Sequence, residues 1–160
     1  MILPLILAAW LAPAPAPAAA PAGETPRAFV ERLYAAYRDP DFSPLSRPKR
    51  VFAPPLVAAI DEDRRLSRDE VGFMDADPLC ECQDPSGMRP RIEAVSEPAR
   101  GAAIVRVTLR FGPTDRRDLK LRLVRLAAGW RIADVSSADQ PSLLADLQAW
   151  NRRVRRERGR

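Results

Sequence analysis

Histidine is absent from the 160-residue chain. With it goes the side chain that most often serves as general base near neutral pH or as a zinc ligand. A Ser-His-Asp or Cys-His mechanism is therefore excluded. Carboxylates, the two tyrosines or the two cysteines would have to carry any chemistry. Lysine is nearly missing too: Lys49 and Lys120 stand against 24 arginines. With the high alanine and proline content, that is the bias of a GC-rich coding sequence, and no function follows from it. There is also no apolar run long enough to cross a membrane. The best, Ile2–Ala12, is too short and too broken by Pro4 to span a bilayer core of ~30 Å as a helix.

That run has instead the length and composition of a signal-peptide core. Ala-Pro repetition from Pro13 to Pro21 follows it, a composition that prefers extended polyproline geometry and cannot pack. Small residues at alternating positions offer cleavage sites, Ala20-Pro21-Ala22 before Gly23 first and Ala16-Pro17-Ala18 second. No cysteine lies beside either, so a lipid anchor is not expected. No Lys or Arg precedes the apolar run; either the free amine serves, or the true start lies upstream of Met1. The expectation is export to the periplasm or the medium, with residues 1–22 removed.

The formal charge of +5 suggests nucleic acid until it is mapped. Residues 152–160 hold six arginines and one acid, Glu157, which accounts for all of it; the remainder carries 20 basic and 20 acidic groups. A nucleic-acid domain would spread its excess over a face, so no nucleic-acid partner is expected. The stretch 156–160 reads as a basic disordered tail, although arginines there also suit anionic headgroups.

Between these ends the pattern predicts one α+β domain over 23–155. Thr25-Pro26 reads as an N-cap followed by proline at the first helical position, where its missing N–H costs nothing. Phe29, Val30, Leu33, Tyr34 and Tyr37 then form an apolar stripe that stops near Asp39-Pro40. A short helix is predicted through Leu56–Ile60, with a charged turn at Asp61–Arg65. From Arg91 the period becomes two. Val105, Val107, Leu109 and Phe111 alternate with Arg106, Thr108 and Arg110; Leu119, Leu121 and Leu123 alternate with Lys120 and Arg122; Trp130 and Ile132 flank Arg131. Gly112-Pro113 and Gly129 mark the turns of an antiparallel sheet with one buried face. Pro141 opens a last helix carrying Leu143, Leu144, Leu147 and Trp150.

The opening helix Phe29-Val30-Glu31-Arg32-Leu33-Tyr34-Ala35-Ala36-Tyr37 and the strand Gly129-Trp130-Arg131-Ile132-Ala133-Asp134-Val135 carry a resemblance to the nuclear transport factor 2-like superfamily. In that superfamily a curved sheet wraps N-terminal helices into a cone. Within it, Asp75-Ala76-Asp77-Pro78-Leu79 with Gln83-Asp84 resembles the exported bacterial family called domain of unknown function 3828. The resemblance covers residues 25–150 or so. It implies the cone, closed by a C-terminal helix, and an envelope location, and it brings no catalytic residues.

Cys80-Glu81-Cys82 is the most conspicuous local motif. Two cysteines in an exported protein are by default a disulfide. An extended i, i+2 pair sits near the upper limit of bridgeable Cα separation, so the bond requires a tight turn. A strained bridge is easily reduced, which opens a redox role, but Glu81 disfavours thiolates and no Lys or His lies adjacent to lower their pKa. The alternatives are two packed thiols, or a metal held by Cys80 and Cys82 with Asp77, Asp75 or Asp84; two sulfurs alone make only half a tetrahedral site. The aspartates are equally ordinary turn residues. Tyr34 and Tyr37, with Trp130 opposite and Asp77 near, would line a pocket, or else pack as plain core. The Arg106, Arg110, Lys120, Arg122 and Arg131 row is either a solvated sheet face or a partner surface.

No catalytic residue and no cofactor is expected. The chain reads as an exported, non-enzymatic binding or protein-interaction domain of the bacterial envelope, for an envelope protein or a small ligand. After processing it has no stable membrane insertion, and the sheet face offers a route to a homodimer. The rivals are a small-molecule enzyme with a carboxylate/tyrosine pocket and a redox or metal-handling protein acting through Cys80 and Cys82.

Overall fold

The computed structural model describes residues 23–68 and 70–159; the signal segment predicted over 1–22 lies outside them. Thr25 caps the first helix as the sequence implies, its Oγ1 accepting the Ala28 amide at 3.1 Å, with Pro26 inside the first turn. This helix, α1 (Pro26–Ala35), buries Phe29, Val30, Leu33 and Tyr34, and a 3-10 turn at Ala36–Arg38 ends the segment. A single turn α2 (Pro48–Val51) leads into α3 (Pro54–Ser67). The turn expected at Asp61–Arg65 is instead the second half of α3. Two of its polar residues find partners outside the helix. Arg64 donates to the Leu45 carbonyl at 2.6 Å. Asp63, 2% exposed, accepts the amides of Phe73 and Met74, both at 3.0 Å.

Four strands follow, β1 (Arg89–Ala99), β2 (Ala102–Arg110), β3 (Arg116–Leu126) and β4 (Gly129–Ser136), antiparallel and in sequence order. Gly101 and Gly129, at φ 77 and 100, supply the left-handed turns at β1–β2 and β3–β4. The period-two pattern holds: Val105, Val107, Leu109, Leu119, Leu121, Leu123, Trp130 and Ile132 are all buried and join the helices in one core. On β3 the buried leucines are bracketed by Arg117 and Arg125, which share their face. Each guanidinium lies over an aromatic ring, Phe111 at 4.8 Å and Trp130 at 5.6 Å. Each also donates to a main-chain carbonyl: Arg117 to Cys80 at 2.9 Å, Arg125 to Glu24 at 3.3 Å.

β4 carries a bulge. Arg122 faces Asp134 but Leu123 faces Ile132, so Ala133 is the extra residue and Val135 returns to the core side. Asp134 thereby joins the outer face, where it accepts Arg122 at 3.1 Å, the Ser142 hydroxyl at 2.7 Å and the Leu144 amide at 3.0 Å. It thus tethers the start of α4 (Leu143–Arg158), whose N-cap is Ser142 and not Pro141. Thr108, also on the outer face, is nevertheless buried, because its Oγ1 bonds Asp118 at 2.5 Å and Arg116 folds over both. α4 runs alongside α3 in the same direction, Asn151 reaching the Ala59 carbonyl and Arg155 pairing with Glu62 one turn on. The helix continues to Arg158, so most of the basic stretch expected to be an unstructured tail is helical; Arg158 pairs with Glu70 at 3.5 Å. No helix among the described residues is long and apolar enough to cross a membrane.

Candidate functional site

Cys80 and Cys82 are bonded to each other across a Cα separation of 5.1 Å. The tight turn that the spacing demands is made at Glu81, whose φ is 50. Around it the chain folds back, the Asp77 amide donating to the Cys82 carbonyl at 2.9 Å. Four side chains fix this loop. Tyr34 donates its hydroxyl to the Leu79 carbonyl at 2.9 Å. Tyr37 donates to Asp77 Oδ2 at 2.7 Å, and Asp77 Oδ1 accepts the Leu79 amide at 2.8 Å. From β3, Arg117 donates to the Cys80 and Glu81 carbonyls.

Burial raises the pKa of both tyrosines, and the nearby Asp77 carboxylate raises them further. Burial likewise raises Asp77, while the hydrogen bonds from Tyr37 and the Leu79 amide oppose the shift. Both sulfurs are committed to the bridge and both Asp77 oxygens accept hydrogen bonds. Asp84 caps a turn, accepting the Ser86 amide at 2.8 Å; the Ser86 hydroxyl and then this amide lower its pKa. Among the described residues no group of three or more acidic or sulfur side chains is arranged to hold a metal.

Trp130 is not opposite the tyrosines. Its Nε1 donates to the Glu24 carbonyl at 2.8 Å, at the N-terminal end of α1, whereas Tyr34 and Tyr37 lie at the C-terminal end. The tyrosines instead border a groove of about 930 Å³ between the flank of α1, the turn at Asp84–Met88 and the first residues of β1. Its apolar floor is Tyr37, Met88 and Ile92, all half-buried; Arg27, Glu31, Arg38 and Arg89 stand around it. Asp77 lines a separate hollow of about 270 Å³, with Asp75 and Glu81, against the loop before α4.

The groove runs beside the edge of the sheet. β1 pairs with β2 on one side only, so alternate main-chain N–H and C=O groups on its other side face outward. Sequence reasoning missed this strand's start. Only Ile92 and Val95 are half-buried in it, a bulge near Glu93 breaks their alternation, and Pro90 and Pro98 argue against a strand. Those prolines were the available signal, since an edge strand is where the sheet tolerates them.

On the outer sheet face, Arg106 and Lys120 are direct cross-strand neighbours, as are Arg110 and Arg116. Arg122 is paired with Asp134 and Arg116 with Asp118. Arg131 turns to main-chain carbonyls, Lys49 at 2.9 Å among them. Compared with protein-family models, curated proteins and solved structures, the chain matches none.

Proposed function

We infer that the chain is an exported, non-enzymatic binding module of the bacterial envelope, built on the nuclear transport factor 2-like cone in the manner of the domain of unknown function 3828 family. Its proposed ligand is an extended segment of a partner protein, held in the groove between α1 and β1. Two of the stretches that carry the family resemblance support the assignment by meeting: Tyr37, at the end of the Phe29–Tyr37 stretch, bonds Asp77 of the Asp75–Leu79 stretch.

The observation that carries the function is the groove beside an unpaired strand edge. Its volume is that of a ligand site. Beside it, β1 offers main-chain partners over the seven residues Arg91–Glu97 between its two prolines. An added strand would take affinity from those groups and place alternate side chains on the Tyr37, Met88 and Ile92 floor. A small-molecule enzyme would instead draw on Asp77 and Tyr37. Those groups are engaged with each other, border different cavities, and hold the 77–82 loop in place.

The test is selection of extended peptides from a displayed library, followed by amide exchange on the complex. Slowed exchange at Arg91–Glu97, and loss of binding when alternate peptide nitrogens are methylated, is the expected result. Protection confined to other strands, or indifference to methylation in either phase, would refute strand addition.

A further inference from the structure

The face of the sheet turned away from the helices is segregated in charge. Of its basic side chains, Arg116 and Arg122 have acidic partners on the same face, Asp118 and Asp134, and Arg91 has Glu93. Arg106, Arg110 and Lys120 are exposed and form no ion pair among the described residues. With Arg89, which faces Arg110 from β1 and also forms no ion pair among the described residues, they share one face of a chain whose residues before 152 are neutral overall. Arg106 and Lys120 sit directly opposite each other on β2 and β3, an arrangement of like charges that destabilises a sheet.

This pair borders a hollow of about 780 Å³ that also takes in hydroxyls from Thr108, Ser136 and Ser137. The acids at its rim are occupied. Asp118 accepts Thr108 and Arg116, which hold its pKa down and keep it ionised, and Glu93 lies 3.6 Å from Arg91. A guanidinium fork, an ammonium and the Ser137 hydroxyl around one hollow form the donor set for a tetrahedral oxyanion, while the Thr108 and Ser136 hydroxyls donate to Asp118 and to the Lys120 carbonyl.

We propose that Arg106 and Lys120, with the Ser137 hydroxyl, form a binding site for a phosphate-type oxyanion on the outer face of the sheet. The anion supplies the negative charge that the cross-strand pair lacks. The site is independent of the α1–β1 groove, which opens at the other side of β1. Two such faces brought together by a twofold axis would repel.

The experiment titrates inorganic phosphate and pyrophosphate into the intact folded chain at low ionic strength, following amide and side-chain NMR shifts and the melting temperature. Shifts centred on β2, β3 and Ser136–Ser137, with a rise in melting temperature, are expected. Arg106→Gln and Lys120→Gln should each weaken binding about tenfold, the loss of one charge-assisted contact. Arg153→Gln, which removes one positive charge from α4, should leave binding unchanged. Vesicles of phosphatidylglycerol in phosphatidylcholine, against phosphatidylcholine alone, separate a lipid headgroup from a free anion as the source. Binding in either arm that depends on Arg106 and Lys120 upholds the site. Equal weakening by Arg153→Gln would mean diffuse attraction and overturn it, as would unchanged spectra in both arms.

Discussion

Replacing Trp130 by alanine probes the junction between the first helix and the last strand. The ring is 2% exposed, its Nε1 bonds the Glu24 carbonyl at 2.8 Å, and the Arg125 guanidinium lies 5.6 Å from its centre. Truncating a buried Trp costs about 3–5 kcal/mol through lost burial and the cavity left behind. Trp130→Phe keeps most of the apolar contact and removes the donor, so it should cost about 0.5–1.5 kcal/mol. For a domain of this size each kcal/mol moves the melting temperature by about 3–5 °C. The alanine variant should therefore melt about 10–20 °C below the parent, and the phenylalanine variant only a few degrees below. Urea titration by tryptophan-independent circular dichroism measures both. A loss below about 1 kcal/mol for Trp130→Ala would mean that β4 and α1 are held together by something other than this side chain.

The remaining predictions use the loop, the pinned turn and the N-terminus. Because burial raises Asp77, the folded state binds its proton more tightly than the unfolded chain, and stability falls as pH rises from the ordinary value of 3.8 through the raised one. Tyr37→Phe removes a bond that lowers Asp77, so its carboxyl carbon should titrate at still higher pH by NMR and the falling interval should widen; a downward shift would contradict the assignment. Protein from an oxidising compartment should show no free thiol under denaturing conditions. Cys80→Ser/Cys82→Ser should lose well under the ~3 kcal/mol of a fifteen-residue loop, since its cross-link closes only three residues. Gly72→Ala should destabilise by about 1–3 kcal/mol, because its methyl would lie 2.6 Å from Asp63 Oδ2 and nearer still to Ser67 Oγ; a neutral variant would show that the turn gives way freely. The mature N-terminus should fall between Ala19 and Glu24 by mass spectrometry of periplasmic protein, and an intact Met1 there would refute export.

What was legible in the sequence was what repeats locally. The Thr25-Pro26 cap and the leucine alternation of β3 announce themselves within a few residues, because one helix start and one buried sheet face each impose a short period. The second half of α3 was hidden because Asp61, Asp63, Arg64 and Arg65 read as solvent-facing turn residues. Asp63 is buried, and its partners, the Phe73 and Met74 amides, lie ten and eleven residues downstream. The phase change at Ala133 leaves no mark, since an extra alanine looks like any other strand residue. The candidate sites suffered most. Tyr37 and Asp77 are forty residues apart in the chain and Arg117 is as far again from Asp77. The groove exists only because an edge strand, nearly devoid of buried residues, ends up beside α1.

The two arginines that end the buried row of β3 act as a ruler. Sliding the strand by two residues keeps every leucine on the correct face, so alternation alone would accept the shifted pairing. With Arg117 and Arg125 in place it would not, because one guanidinium would be drawn into the apolar interior while the other lost its aromatic platform and its carbonyl partner. One end reads the position of the disulfide loop and the other the entry to the first helix. The strand's placement is thereby measured against both ends of the molecule at once, and lengthening or shortening the β2–β3 turn by a residue pair should leave the register of β3 unmoved.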